Sequence, residues 1–186
     1  MRRLGIVWMM MCVMLVAAGC GSKNVTDTYS FGRQVFRSAD SEIVVMLPFE
    51  LGLNPNLKET QDGYVLDAWA GMGQAVMLTV EAQHARTPVQ ILPTPEVKAA
   101  SDARALAAAN GAANAKTETT DIVIGNVPMR KTVTMLTKQS NSFTIVQYVF
   151  EDRNVLWSVA YQYRTNEAEG KEIVDRIADN IEVTGR

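Results

Sequence analysis

The segment SFTIVQYVFEDRNVLWSVAYQY, residues 142–163, decides the fold. Two runs rich in β-branched and aromatic residues, 142–150 and 155–163, flank the polar Glu151-Asp152-Arg153-Asn154, a pattern that predicts a β-hairpin. A symmetric four-residue loop sets Tyr148 opposite Trp157, Phe150 opposite Val155 and Val146 opposite Val159. One face of the ribbon is then almost wholly apolar and aromatic. The other carries Phe143, Ile145, Val149, Leu156 and Ala160 beside Gln147, Ser158 and Gln162. Apolar residues on both faces require a sheet covered on both sides.

Downstream, Ile173, Val174, Ile177 and Ile181 fall on one stripe of residues 166–181, opposite charged residues, which predicts an amphipathic closing helix. Asn166 and Glu169 have the spacing of a capping box. Upstream, strands over 118–124 and 129–137 flank Gly125-Asn126, with Pro128 marking where the second begins. Before them Thr94, Pro95 and Glu96 supply an N-cap, a first helical residue and a dipole partner for a helix over 95–110. Its Ala99, Ala100, Ala103, Leu106 and Ala107 make a shallow face suited to close approach to a sheet. Residues 64–70 and 74–83 flank Gly71-Met72-Gly73, read as a glycine turn, and 31–37 pairs with 43–47, ended by Pro48. Strands, helix, antiparallel strands and helix in that order predict a single α+β domain over residues 30–186, not an alternating βαβ fold.

A strand ending in Leu47-Pro48, a central helix, the Gly125-x-x-Pro128 turn, an aromatic hairpin and a closing helix ending at Ile181 together resemble the PsbP-like fold. That resemblance implies an antiparallel sheet flanked by helices on both faces. It also implies a binding or assembly role without catalysis, and it assigns no site residue in the domain.

The first twenty residues read differently. Met1-Arg2-Arg3 is basic, and Leu4–Gly19 carries no charge and ends in small residues, the pattern of an export signal too short to span a bilayer. Ala17-Ala18-Gly19-Cys20 resembles the lipobox of bacterial lipoproteins, with alanine at the position where leucine is commoner. The resemblance implies that residues 1–19 are a removed signal peptide and that Cys20 is the lipidated N-terminus. Cys12 leaves with the signal. Residues 20–29 then comprise the lipidated cysteine and a polar tether reaching about 15–18 Å, so the domain sits near the membrane. Removing Arg2 and Arg3 takes the 18 basic side chains to 16 against 20 acidic ones, a charge of −4. The acyl chains, not a basic patch, must therefore hold the protein to the membrane. Gly21 lacks the aspartate that retains some lipoproteins at the inner membrane; inner and outer placement both remain open.

Chemistry is sparse. Of 186 residues, 47% are hydrophobic and 20% charged, which excludes a disordered chain, and the near-neutral balance argues against nucleic-acid binding. Both cysteines lie in the first twenty residues and His84 is the one histidine, read as a strand-end residue. Asp67 and Glu81, with a turn centred on Met72, lie about 13 Å apart, too far for a shared proton. No nucleophile elbow, phosphate loop or calcium loop is present, and no catalytic residue, metal ligand or cofactor is assigned. Glu151-Asp152-Arg153-Asn154 is read as a polar tip, Tyr148, Trp157, Tyr161 and Tyr163 as core, and Trp69 as exposed near its turn.

The leading expectation is a non-catalytic envelope lipoprotein whose domain docks a protein partner. Loops 48–62 and 85–96 are the contact surfaces, through Phe49, Leu51, Leu53, Ile91 and Leu92. The alternatives are a small-ligand module with an aromatic pocket and, more remotely, a hydrolase. Radiolabelled palmitate should enter the wild-type protein in bacterial cells and fail to enter Cys20→Ala; equal labelling of both would place the anchor elsewhere.

Overall fold

A computed structural model of the chain describes residues 29–53, 63–109, 115–138 and 141–185. The expected signal peptide, Cys20, almost all of the expected tether and residues 54–62 of the first expected contact loop lie outside them. The elements are β1 (Gly32–Ser38), β2 (Ser41–Leu47), β3 (Gly52–Leu53), β4 (Val65–Met72), β5 (Val76–His84), α1 (Pro95–Ala109), β6 (Lys116–Ile124), β7 (Val127–Lys138), β8 (Asn141–Asp152), β9 (Val155–Arg164), α2 (Ala168–Ile177) and β10 (Ile181–Val183). The fold is α+β, with two antiparallel sheets rather than the one expected. Seven strands run β3-β4-β5-β9-β8-β7-β6, and three run β1-β2-β10.

Burial explains the division. From Thr144 to Phe150 every residue of β8 is buried, and so are Val155 to Val159 of β9, because both faces of the large sheet are covered there. β2 instead alternates: Ser41, Ile43, Val45 and Leu47 are buried, while Glu42, Val44 and Met46 are half-exposed. A strand with one buried face belongs in an outer layer. The apolar run that looked uniform in sequence is such a strand. Its inner side packs with Tyr148, Phe150, Trp157, Val159 and Tyr161 in the main core, which also takes in Ile173, Val174 and Ile177 of α2. α1 lies over β7 and β8, where Ala99 packs with Val149 and Leu156.

The central hairpin differs from expectation by a slip of two residues. Arg153 and Asn154 both adopt left-handed backbone, with φ of 48° and 58°, and close a two-residue turn whose twist matches the strands. Tyr148 therefore sits opposite Val159 and Phe150 opposite Trp157, with Asp152 opposite Val155. A shift of two keeps every side chain on its face, so the aromatic side is still the buried one. Gly125 and Asn126, at φ 57° and 75°, make the same kind of turn between β6 and β7.

Gly71 and Gly73 are not turn glycines. Neither has positive φ, and the chain reverses at Gln74-Ala75, where Gly73 N–H bonds Val76 O at 2.9 Å. A Cβ on either glycine would come within 2.9 Å or less of the Phe49 ring or the Leu51 side chain. The two positions are bare so that the segment after β2 lies flat on the backbone. The later turn sets Asp67 opposite Ala82 and Glu81 opposite Ala68, so the two carboxylates stand on opposite faces of the sheet, not 13 Å apart on one.

α2 is shorter than expected, and its capping box is absent: the N-cap residue is Glu167, without a side-chain cap bond, and Arg164 pairs with it at 3.0 Å. Ile181 reaches the same core as part of β10, paired with Val45, because Asn180 N–H bonds Ile177 O and turns the chain. Around Thr94 the expectation holds: its Oγ accepts Val97 N–H at 3.3 Å at the start of α1.

A polar relay joins the two sheets. Trp157 Nε1–H donates to Ser41 Oγ at 2.8 Å, and Ser41 Oγ–H donates to Asp152 at 2.7 Å, all three residues buried. Ser38 donates to Asp67 at 2.7 Å, and Arg153 donates to Asp40 O at 3.0 Å and to the carbonyl of Gly185. The 151–154 segment is the polar tip expected, with Glu151, Arg153 and Asn154 exposed, but its buried Asp152 and its Arg153 also make it a joint between the sheets. By contrast the Tyr161 hydroxyl is buried without a partner, whereas Tyr148 donates to Asp179 at 2.6 Å. Ser41→Ala, which leaves the buried indole N–H without its acceptor and removes the hydroxyl that donates to Asp152, should cost about 1–3 kcal/mol. Tyr161→Phe should be neutral or stabilising. Urea unfolding of the two variants checks both signs.

Candidate functional site

Between β5 and α1 the chain crosses the end of the large sheet in an irregular loop that is braced rather than loose. Gln90 N–H bonds Thr87 O at 3.1 Å, the Gln90 side chain accepts Arg86 N–H at 2.9 Å, and Tyr64 donates to Ile91 O at 2.7 Å. Leu92 turns inward against Ala99, Val149 and Leu156. These ties hold Val89 and Ile91 outward, 88% and 86% exposed. Val97 on α1 and Val123 on β6 are also exposed. Isolated exposed apolar residues are ordinary, but several near one end of a sheet make a surface suited to a partner. Two grooves, about 580 and about 690 Å³, adjoin the loop and share Thr94 and Glu151.

Under α1 lies a polar layer that sequence reading missed, because its members come from four elements. Lys98 Nζ sits 2.6 Å from Asp102 and 3.3 Å from Glu81. The Gln147 amide donates to Asp102 at 2.6 Å and to Ser158 Oγ at 2.8 Å. Burial pulls the Lys98 ammonium down, but Glu81 and Asp102 outweigh it, and the net position is above the ordinary lysine value. A lysine so held is a fixed cation, not a free amine able to attack a carbonyl. The layer fastens α1, and so the end of the loop, to the sheet. The signal available in sequence was the i, i+4 pair Lys98 and Asp102.

Of the expected contact residues, Ile91 and Leu53 are exposed. Leu51 is 3% exposed and in the core, while Phe49 and Leu92 pack against core clusters, so these three are structural. Tyr148, Trp157, Tyr161 and Tyr163 are buried together and line no open aromatic pocket, which removes the side chains named for a ligand site. Trp69, expected to be exposed, stacks on Trp157 with centroids 6.3 Å apart and meets Phe36 edge-on at 5.3 Å. His84 is half-buried with Nδ1 3.3 Å from Ala85 O. Among the described residues, no group of three or more His, Cys, Asp and Glu is placed to hold a metal ion.

Because the folded value of Lys98 lies above the unfolded one, its stabilisation is fully present below about pH 10 and fades as pH rises through the folded value. Lys98→Met should lower stability by about 1–3 kcal/mol near neutral pH. It should also flatten the alkaline fall in thermal midpoint, and melts recorded across pH check both effects.

No family model matches the chain, and no curated protein matches it. Among solved structures, the crystal structure of PA94 from Pseudomonas aeruginosa, a protein of unknown function, is 11% identical and aligns over 77% of this chain and 87% of its own, with a TM-score of 0.36. A likeness of that size carries no functional argument.

Proposed function

We propose that the chain is a lipoprotein anchored through Cys20 on the outer side of a bacterial membrane. In this reading its α+β domain is a PsbP-like sandwich, without catalysis, that docks an envelope protein through the 85–94 loop. The observation that carries the reading is the braced loop holding Val89 and Ile91 in solvent, since exposing two large apolar side chains on an ordered segment is costly unless a partner covers them. α1 and α2 packing with opposite sets of β8–β9 side chains supports the sandwich.

Placement supports the anchor. The phenol of Tyr29, the first described residue, lies beside Glu169 and the backbone of Ala75, just before β5. The loop leaves from the far end of that nine-residue strand, about 26 Å away. With the tether entering at Tyr29, the apolar loop stands at the opposite end of β5 from the proposed anchor.

Crosslinking in intact cells, with captured proteins identified by mass spectrometry, tests this. The wild-type protein should capture a specific partner that is lost from Cys20→Ala and reduced at least about tenfold by Val89→Asp with Ile91→Asp, as expected for loss of roughly 1.4 kcal/mol or more of interface energy. Unchanged thermal midpoints would show that the domain remains folded. Capture unaffected by the loop changes would move the surface elsewhere, and no capture by any lipidated form would remove the docking role.

A further inference from the structure

We propose that the tip of the β4–β5 hairpin rests on the lipid surface that holds the anchor, with Met72 and Met77 entering its headgroup region. The proposal rests on the reading that Cys20 is lipidated, and it adds a second membrane contact made by the folded domain itself. From Ala68 to Val80 the chain carries no charge, and Asp67 and Glu81 bound that run. Met72 and Met77 close the paired part of the hairpin, opposite each other in register and so on one face of the sheet. Met72 is 78% exposed and Met77 36%, and Gln74 between them is exposed as well. Methionine is unbranched and adaptable, which suits a surface as irregular as lipid headgroups.

The tip is ordered, so the exposure of its methionines is not that of a loose end. Gly73 N–H bonds Val76 O at 2.9 Å across the turn. The Phe49 ring packs so near that a Cβ on Gly73 would come within 2.9 Å of it. From α2, a Cβ on Gly170 would come within 2.7 Å of Ala75 O, so the start of that helix also lies against the turn. Ala75 and Val76 are buried by this packing, while Met72 and Met77 stay on the open side.

The tether selects the occupant. Tyr29 lies beside Ala75, so residues 21–29 run from the lipidated cysteine to the hairpin tip itself. Their relaxed reach of about 15–18 Å sets how far the tip stands from the bilayer. Val89 and Ile91 leave from the other end of β5, about 26 Å farther on, and turning them to the bilayer would stretch the tether well past that reach. Beside the tip, Arg164 pairs with Glu167 at 3.0 Å, Lys171 pairs with Asp175, and Glu169 lies against the Tyr29 phenol. No basic patch draws the tip to anionic lipid, so the contact is apolar and insensitive to salt and to the share of anionic lipid. Two methionines alone would bind a bilayer weakly. Held beside it by the acyl chains, they meet lipid at high effective concentration and fix the orientation of the domain.

The test takes the full lipidated chain from bacterial membranes into vesicles of phosphatidylethanolamine and phosphatidylglycerol. A nitroxide is placed on Met72→Cys, on Gln74→Cys or, as the far-end reference, on Val89→Cys. With Cys12 removed and Cys20 acylated, each introduced thiol is the one that takes the label. Spin relaxation by oxygen, which concentrates in lipid, and by a polar nickel chelate, which stays in water, reads the surroundings of each label. Vesicles should lower nickel collisions several-fold and raise oxygen collisions for Met72→Cys and Gln74→Cys, while Val89→Cys reads as in water. Replacing phosphatidylglycerol by phosphatidylcholine should change none of these values, and adding Met77→Asp to Met72→Cys should restore nickel access. Unchanged thermal midpoints check the fold of every variant. In a chain that floats with the vesicles, nickel access at the tip equal to that of Val89→Cys overturns the contact and leaves the anchor standing. Loss of both nickel and oxygen access at the tip also overturns it, because that marks a protein cover, either a second copy or a partner. A chain that does not float and takes label at Cys20 removes the anchor and this contact with it.

Discussion

The arrangement of the two sheets depends on a short relay in which the Trp157 indole donates to Ser41 and Ser41 donates to Asp152. All three groups are buried, so each is costly to leave unmatched, and the geometry that satisfies one constrains the others. Ser41 begins β2, Asp152 ends β8 and Trp157 lies in β9, so the relay ties the start of the outer sheet to the central hairpin of the large one. Arg153 completes the joint by donating to backbone carbonyls of the β1–β2 turn and of the C-terminal residues. Hydrophobic burial holds the layers together, and the relay selects their registration, since apolar surfaces alone slide at little cost.

From that joint the rest follows outward. With β2 fixed at Ser41, the segment after it is laid across β4, where Gly71 and Gly73 leave space for the Phe49 ring and Leu51 enters the core. On the other side of the large sheet the Lys98 layer is a second polar joint, less enclosed, that fastens α1. The two joints work differently. The Ser41 relay is nearly dry and specifies position, while Lys98 remains charged and partly wet and anchors by charge pairing. The Lys98 layer fixes the α1 end of the 85–94 loop, and the bonds of Gln90 and Tyr64 brace the loop itself.

Much of the fold was legible because it rests on local periodicity. The hairpin at 142–163, the α1 start at Thr94-Pro95 and the stripe of Ile173, Val174 and Ile177 all read correctly from spacing. What failed were registers and partners. Arg153 and Asn154 entering left-handed backbone slipped one strand pairing by two residues, and Gly71 and Gly73 looked like turn residues when they are bare for the sake of Phe49 and Leu51. Polarity misled at Asp152, whose partner Ser41 is 111 residues away. Apolarity misled at Leu51 and Leu92, which sit in loops yet face inward. Ile91 is exposed, as its place in the loop suggested; Val89, two residues before it, is equally exposed and was overlooked.

The amino-acid sequence by itself determined the types of the longer elements, the two-sided character of the central hairpin and the choice of an α+β layered domain, because these depend on the alternation of neighbouring side chains; the short strands β3 and β10 did not show in it. Tertiary structure alone decided that β1, β2 and β10 form their own sheet, that Asp67 and Glu81 face opposite ways, and that β6 ends the seven-stranded sheet among the described residues. Those outcomes depend on which distant groups satisfy buried donors and acceptors, and a hydrogen bond between residues a hundred positions apart leaves no trace in the local pattern.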